Sequence, residues 1–461
     1  MKHIDIKEIV ENKKKFIGKS VTVCGWVRTS RDSKTVAFVE LNDGTMLKHM
    51  QIVFDKEKID NCAAALPLCT SLKITGKVVK AANNPENVEI NADTVEVLGE
   101  CPPEYPIQKK PHSLEFLRTI PHLRMRTNTF SAMFRIRNVL TEAIHKYYLD
   151  RNYVYAHTPI ITGSDCEGAG EGFKVTTIGY SNKFKTEEEY HANDFFSKSA
   201  GLTVSGQLEG EMMAMAFGKI YTFGPTFRAE NSNTSRHAAE FWMNEPEVAF
   251  CDIDGLIEIA EEFIKFITKF VLDKCKDELA FFERFYEKGL IEKLTGIVEK
   301  DFARVDYTEA IEILKKCSKA KEFQYPVEWG CDLQTEHERY LTEEHFAKPC
   351  FVVNYPKAIK SFYMKQNDDG KTVAATDLLV PGVGEIIGGS EREANYEKLK
   401  NEIVARGMNL SDYEQYLDLR KYGSVPHAGF GLGLERMLMY ITGIGNIRDT
   451  AIFPRARNEL R

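Results

Sequence analysis

Across the first hundred residues, apolar and polar positions alternate in short runs separated by turn-forming residues, as half-buried strands do. Ser20 to Arg28 is one such run, and Val36 to Leu41 is a second, closed by the turn signal Asn42-Asp43-Gly44-Thr45. Met50 to Phe54, Leu72 to Val79 and Val88 to Leu98 supply three more, with a helix-like stretch from Lys56 to Leu66. Five strands and one intervening helix fit a small Greek-key barrel. The proline-rich run Cys101 to Pro106 suits neither strand nor helix and reads as a linker. From residue 130 the period changes. Phe134, Ile136, Val139, Leu140, Ala143, Ile144 and Tyr147 form an apolar face at helical spacing. Thr158-Pro159-Ile160-Ile161-Thr162 then reads as a strand whose proline suits an edge or a chain interface. A second long helix is expected from Ile253 to Leu279, with Asp252 as N-cap, and the charged stretch 281–322 also reads as helical.

Composition narrows the function classes only a little. The chain has 461 residues, enough for two or three domains, with 43% hydrophobic and 28% charged residues, the mix of a globular protein. The apolar run Phe263 to Leu272 is broken by lysines and too short to span a bilayer. The opening Met1-Lys2-His3-Ile4-Asp5 carries no apolar signal core, so a cytoplasmic chain is the expectation. Ten cysteines stand singly with no Cys-x-x-Cys pair, which argues against a zinc ribbon or redox dithiol and suggests buried thiols. A net charge of −7 disfavours non-specific polyanion binding, although a local basic surface can still hold nucleic acid. The stretch from Lys109 through Arg126 is such a surface or a solvated hinge. For the barrel, an oligonucleotide-binding type and any other small barrel fit equally.

Two constellations carry chemistry. Tyr221 to Arg228, then a polar loop through Arg236-His237, then Glu240-Phe241 reads as strand, loop, strand. Arg228 offers a planar cation to a phosphate, with Arg236 and His237 for outer phosphates, Phe241 to stack on a base and Glu230 to accept from an exocyclic amine. The bland alternative is a surface hairpin with solvated charges. Further on, Gly429-Phe430-Gly431-Leu432-Gly433 places glycines at alternate strand positions, where a nucleotide can approach the backbone, and Arg436 follows on the first turn of an apolar helix. The glycine spacing is not that of a dinucleotide fingerprint.

Together these resemble the second and third signature motifs of class II aminoacyl-tRNA synthetases, and the helix with the Pro159 segment resembles the first, which forms the dimer interface in that family. Cys166 to Glu171, Leu202 to Leu208, Gly224 to His237 and Gly382 to Ser390 extend the match to the aspartyl, asparaginyl and lysyl subclass, most closely its bacterial asparaginyl branch. The resemblance covers essentially the whole chain. It implies an α+β fold: an N-terminal five-stranded OB-fold barrel over residues 1–101 for anticodon binding, a linker at 102–129, and a catalytic domain at 130–461 whose antiparallel sheet is flanked by helices. It implies a ligase that activates L-asparagine with ATP, transfers it to tRNA(Asn), uses Mg2+, and works as a homodimer without membrane or DNA.

Residue by residue, the resemblance places Arg228 on the α-phosphate and Arg436 on the γ-phosphate, with Glu230, Arg236, His237, Phe241 and Gly433 completing the ATP site. Asp377 and Glu385 match the acidic residues near the metal. Gln207, Glu245 and Arg392 are the candidates for gripping asparagine, with Glu245 accepting from the side-chain amide or the α-ammonium. Glu167 sits in a loop resembling one that closes over substrate. Aspartyl enzymes present a lysine where this chain has Gly210, between Glu209 and Glu211, so a pocket in acidic company should favour a neutral amide. In the barrel, Arg31, Phe38 and Gln51 match residues that meet the anticodon, although Phe38 taken alone reads equally as core. The rivals are a non-discriminating aspartyl enzyme, an asparagine synthetase of the same fold and a non-catalytic RNA-binding relative.

Overall fold

The computed structural model describes residues 2–59, 62–163, 166, 172–179, 183–232 and 234–460. It divides into two units, Met1–Ala132 and Met133–Arg461. In the first, β1 (Ser20–Asp32), β2 (Val36–Asn42), β3 (Met50–Asp55), β4 (Ser71–Lys80) and β5 (Val88–Gly99) close a barrel in the order β1-β2-β3-β5-β4. The pairs are antiparallel except β3 with β5. Alternation decides the faces: Ala37, Val39 and Leu41 are buried in the barrel, which turns Phe38 outward to a half-buried position. Among the described residues of the expected helix at Lys56 to Leu66, only a 3-10 turn, Cys62–Ala65, is helical. So short a stretch, stopped by Pro67, cannot cover the cost of nucleating an α-helix.

The second unit is built on an eight-stranded sheet. Its strands are β6 (Val154–Ala156), β9 (Lys219–Phe227), β10 (Glu240–Ala249), β11 (Ala303–Asp306), β12 (Cys350–Pro356), β13 (Thr372–Val380), β14 (Gly384–Glu391) and β15 (His427–Gly433). They lie in the order β11-β12-β13-β14-β15-β10-β9-β6, antiparallel except at the two edges. A separate ribbon pairs β7 (Ile161–Thr162) with β8 (Gly201–Leu202). Pro159 therefore lies between two short strands rather than within one. It has no N–H to give a ladder, and the chain is held at its neighbour, where the Ile160 carbonyl accepts from Thr203 N–H at 2.8 Å.

Of the face read from its spacing, the helix Asn128–Leu149 buries Ile136, Leu140, Ala143, Ile144 and Tyr147 and leaves Phe134 and Val139 half-buried. Asp252 caps the next long helix by accepting from Gly255 N–H at 2.9 Å, but that helix ends at Lys274 and a second begins at Lys276. The stretch 281–322 is not wholly helical, because β11 interrupts it and pairs in parallel with β12. Four residues are too few to show a period against the helices around them. No described cysteine is in a disulfide, and five of the ten, including Cys69 and Cys101, are only half-buried. Among the described residues no helix is long and apolar enough to cross a membrane.

Candidate active site

One cavity of about 310 Å³ collects nearly all the residues singled out for the catalytic unit. The backbone explains why. Phe241, Met243, Glu245 and Glu247 occupy alternate positions of β10, so all four face the cavity from one strand. Arg228 follows the end of β9, and Asp377 and Glu385 stand on the β13–β14 hairpin. Arg436 rises from the first turn of the helix Leu434–Thr442, immediately after β15.

At the cationic end, the Arg228 guanidinium lies 5.4 Å from the centre of the Phe241 ring. Arg436 Nη1 donates to the Glu385 carbonyl at 3.2 Å and approaches its carboxylate at 3.4 Å. Glu230 and His237 form a pair at 3.0 Å, while Arg236 donates to Thr335 Oγ1 at 2.9 Å. Gly433 lies open to the cavity, with nothing but Arg436 and Met243 within 4 Å of where a Cβ would stand. The other two glycines of that strand serve a different purpose from the one expected. A Cβ at Gly429 would run into the Glu247 carboxylate and one at Gly431 into the Met243 methyl group, so they make room for the protein's own side chains.

Asp377 and Glu385 point at a common space: a Cβ built on Gly388 would sit 2.9 Å from Glu385 Oε1 and 3.5 Å from Asp377 Oδ1. Lys360 Nζ reaches Asp377 Oδ2 at 2.6 Å. Burial depresses the Lys360 ammonium, but Asp377 and Glu385 raise it by more, keeping it charged. Glu338, on the short helix Thr335–Arg339, also feels this cluster, and burial, Glu385 and Asp377 together push its carboxyl up to about 8. Neither Lys360 nor Glu338 was anticipated. Glu338 is one charge among several in the run Glu336 to Arg339 and Lys360 closely follows Lys357, so neither stands out in sequence, and only the fold brings it to the hairpin.

At the other end lie Gln207, Glu245 and Arg392. Glu245 accepts from Gly206 N–H at 2.9 Å, from Thr222 Oγ1 at 3.0 Å and from the Ser205 hydroxyl. Arg392 grips Glu247 with Nε at 3.2 Å and Nη2 at 2.5 Å, and Ser390 Oγ with Nη1 at 2.8 Å. This fork-on-carboxylate geometry is the strong form of the ion pair, and Glu247 and Glu211 hold the guanidinium pKa above its usual value despite burial.

Behind this end is a wholly buried network that sequence reasoning missed. Glu211 accepts from Gln207 Nε2 (2.9 Å), Tyr416 OH (2.8 Å), Arg420 Nη2 (2.7 Å) and His427 Nε2 (2.9 Å). Burial raises its carboxyl, but Arg420, His427 and Arg392 outweigh burial and hold it well below the usual range. The acidic company expected around Gly210 is thus corrected. Glu211 turns away from the cavity, Gly210 packs against Ile220 and Glu247, and the carboxylates that face the ligand space are Glu245 and Glu247. A helix puts consecutive residues on different faces, so neighbours in sequence need not share a pocket.

Glu167 lies outside the described residues. In the barrel unit Arg31 is exposed, Phe38 and Gln51 are half-buried, and all three sit on β1, β2 and β3, with Arg31 opposite Phe38. Gln51 Nε2 donates to Glu89 Oε2 at 2.6 Å.

Comparison with known proteins agrees across both units. Residues 113–457 match the family described as tRNA synthetases class II (D, K and N), and residues 21–98 match an OB-fold nucleic acid binding domain. The chain is 54% identical over 459 residues to the asparagine–tRNA ligase of Clostridium kluyveri, covering 99% of this chain and 98% of that one. It is 55% identical, over the same shares, to the corresponding ligase of Acetivibrio thermocellus. Among solved structures it resembles Pyrococcus horikoshii asparaginyl-tRNA synthetase complexed with asparaginyl-adenylate, with TM-score 0.87, 34% identity and coverage of 100% and 99%.

Proposed function

The chain belongs to the class II tRNA synthetases of the D, K and N group, and we propose that its site works as follows as it charges tRNA(Asn) through asparaginyl-adenylate. The asparagine α-carboxylate attacks the α-phosphorus of ATP and pyrophosphate leaves. A terminal ribose hydroxyl of tRNA then attacks the activated carbonyl and AMP leaves. No side-chain nucleophile is required, so the protein contributes alignment and charge. The observation that carries this reading is the sharing of one cavity by Arg228, Arg436, Asp377 and Glu385 at one end and Gln207, Glu245 and Arg392 at the other.

In this reading Arg228 meets the α-phosphate, where negative charge builds during attack, and Arg436 meets the γ-phosphate of the leaving group. Phe241 offers its ring to the adenine and Glu230 an acceptor to the exocyclic amine. Arg236 and His237 border the outer phosphates. The convergence of Asp377 and Glu385 over Gly388 suits Mg2+, which takes one or two protein carboxylates and completes its shell with phosphate oxygens and water. When bound, the ion offsets triphosphate charge. Lys360 keeps Asp377 from repelling the incoming nucleotide.

Selection of asparagine rests on Arg392 as donor and on Gln207 and Glu245 as acceptors. An amide satisfies both kinds of partner, whereas a carboxylate leaves the acceptors without a proton. Phe38 stacks on an anticodon base, Gln51 reads a base edge and Arg31 adds a contact. The chain works in the cytoplasm as a homodimer, a reading supported by exposed apolar residues Val154, Tyr155, Ile160 and Ile161 on and beside the edge strand β6. A sedimentation mass of a single chain at micromolar concentration would contradict the dimer.

The deciding experiment is ATP–pyrophosphate exchange with asparagine and with aspartate, side by side and without tRNA. Exchange with asparagine alone is expected. Comparable exchange with aspartate would overturn the pocket argument, and exchange with neither would overturn the assignment of the site.

A further inference from the structure

Gln207 has an amide with two chemically opposite ends, and its neighbourhood leaves no choice about which end points where. Its Nε2 lies 2.9 Å from Glu211 Oε1, one helical turn further along Gln207–Phe217. The Glu211 carboxylate is fully buried and accepts from three further donors: Tyr416 and Arg420 on the helix Glu414–Lys421, and His427 at the start of β15. Arg392 Nε stands 3.8 Å away. A carboxylate so surrounded only accepts, so it takes the amide nitrogen and never the carbonyl oxygen. Glu211 itself does not line the cavity, whereas Gln207 does.

Building on the asparagine-activating reading above, we infer that Glu211 is a positioning residue for amino-acid recognition. By binding the Gln207 amide nitrogen, it holds the Gln207 carbonyl oxygen toward the cavity, where that oxygen accepts from an N–H of the substrate. Tyr416, Arg420 and His427 hold Glu211 in turn. A buried network three layers deep thereby fixes one acceptor at the pocket wall.

The test is Glu211→Gln, which keeps the size and removes the charge. The introduced amide turns its oxygen to Arg420 and His427 and offers its N–H2 to Gln207. The Gln207 amide then has to rotate, presenting nitrogen to the cavity. The KM for asparagine in ATP–pyrophosphate exchange is expected to rise about 10-fold or more, the worth of one hydrogen bond to a charged or committed partner, with the KM for ATP and kcat moving less than about 3-fold. Adding Gln207→Glu to that variant supplies oxygen at both ends of residue 207, and it is expected to bring the asparagine KM most of the way back. A loosened fold would lower kcat through the active fraction and would not be rescued in this way. Aspartate, measured as a competitive inhibitor of asparagine-dependent exchange, identifies the substrate group. An equal rise in its inhibition constant assigns the contact to the α-ammonium, and a rise confined to the asparagine KM assigns it to the side-chain amide; either result supports the inference.

An asparagine KM within about 2-fold of wild type in folded E211Q would overturn it, as would failure of the double variant to recover. If E211Q does not fold, Glu211→Asp preserves the charge for Arg420 and His427 while withdrawing it from Gln207, and the same rise is expected. Wild-type exchange with asparagine is the reference throughout. Its absence would refute the activity itself, whereas its presence beside an unchanged E211Q refutes only this role of Glu211.

Discussion

On the proposed reading, Arg436→Ala should separate catalysis from stability. In the free enzyme Arg436 makes a 3.2 Å bond to the Glu385 carbonyl and a 3.4 Å approach to its carboxylate, and the two side chains are 34% and 40% exposed. A pair that open to solvent contributes about 0–1 kcal/mol. Its loss should therefore leave the unfolding transition almost where it was. In the proposed reaction, by contrast, the same guanidinium, which lines the cavity, would face the charge of the departing pyrophosphate. Removing one such preorganised donor costs about 10²–10³ in rate, or roughly 2.7–4 kcal/mol. The assay is asparagine-dependent ATP–pyrophosphate exchange, paired with a denaturant melt and with tRNA binding measured separately. Exchange should fall by two to three orders of magnitude, on the order of the cited donor effect, while the melt and tRNA affinity hold. Exchange within about 3-fold of wild type would remove Arg436 from the chemistry, and a large stability loss would mean that the Glu385 contact was misjudged.

Three further outcomes are expected. Phe38→Ala should weaken tRNA binding by about 1–3 kcal/mol, the worth of one stacked base, while leaving exchange without tRNA unchanged; equal loss in both assays would place Phe38 in the fold instead. Arg420→Met should destabilise the protein by about 3–5 kcal/mol in denaturant, because it strips the buried Glu211 carboxylate of its strongest partner, and a loss under about 1 kcal/mol would contradict that account. His337 is buried, accepts from Gln334 N–H at 3.1 Å, and burial holds its pKa below the ordinary value. The unfolded chain therefore takes up the proton first as pH falls below about 6.5, and stability is lost from there downward, by less than ~1.4 kcal/mol per pH unit. His337→Gln should flatten that part of the stability–pH curve, and an unchanged slope would refute the assignment.

The barrel and the motif-bearing strands were legible because alternation and turn chemistry are local. The same rule that turned Ala37 and Val39 inward turned Phe38 outward, resolving what its sequence alone left open. Local signals failed where an element was short or its partner distant. β11 has four residues between helices, and Pro159 sits in a gap that spacing could not distinguish from a strand. The glycines of β15 showed where backbones come close but not what fills the space, and at Gly429 the occupant is the Glu247 carboxylate. Lys360, Glu338 and Glu211 carry no motif. Their roles come from partners such as Asp377 and Arg420, set beside them by tertiary structure.

The single strand that carries Phe241, Met243, Glu245 and Glu247 acts as a ruler. Cavity-facing positions recur every second residue, about 6.6–6.8 Å apart, so the separation between the Phe241 ring and the Glu245 and Glu247 carboxylates comes in fixed steps. Inserting or deleting one residue within β10 would turn part of that row to the opposite face of the sheet. Adapting the pocket to a side chain one methylene longer therefore cannot proceed by stretching the scaffold. It has to come through substitution at fixed stations, so relatives can diverge in what they accept while the distance between the two reacting partners stays the same.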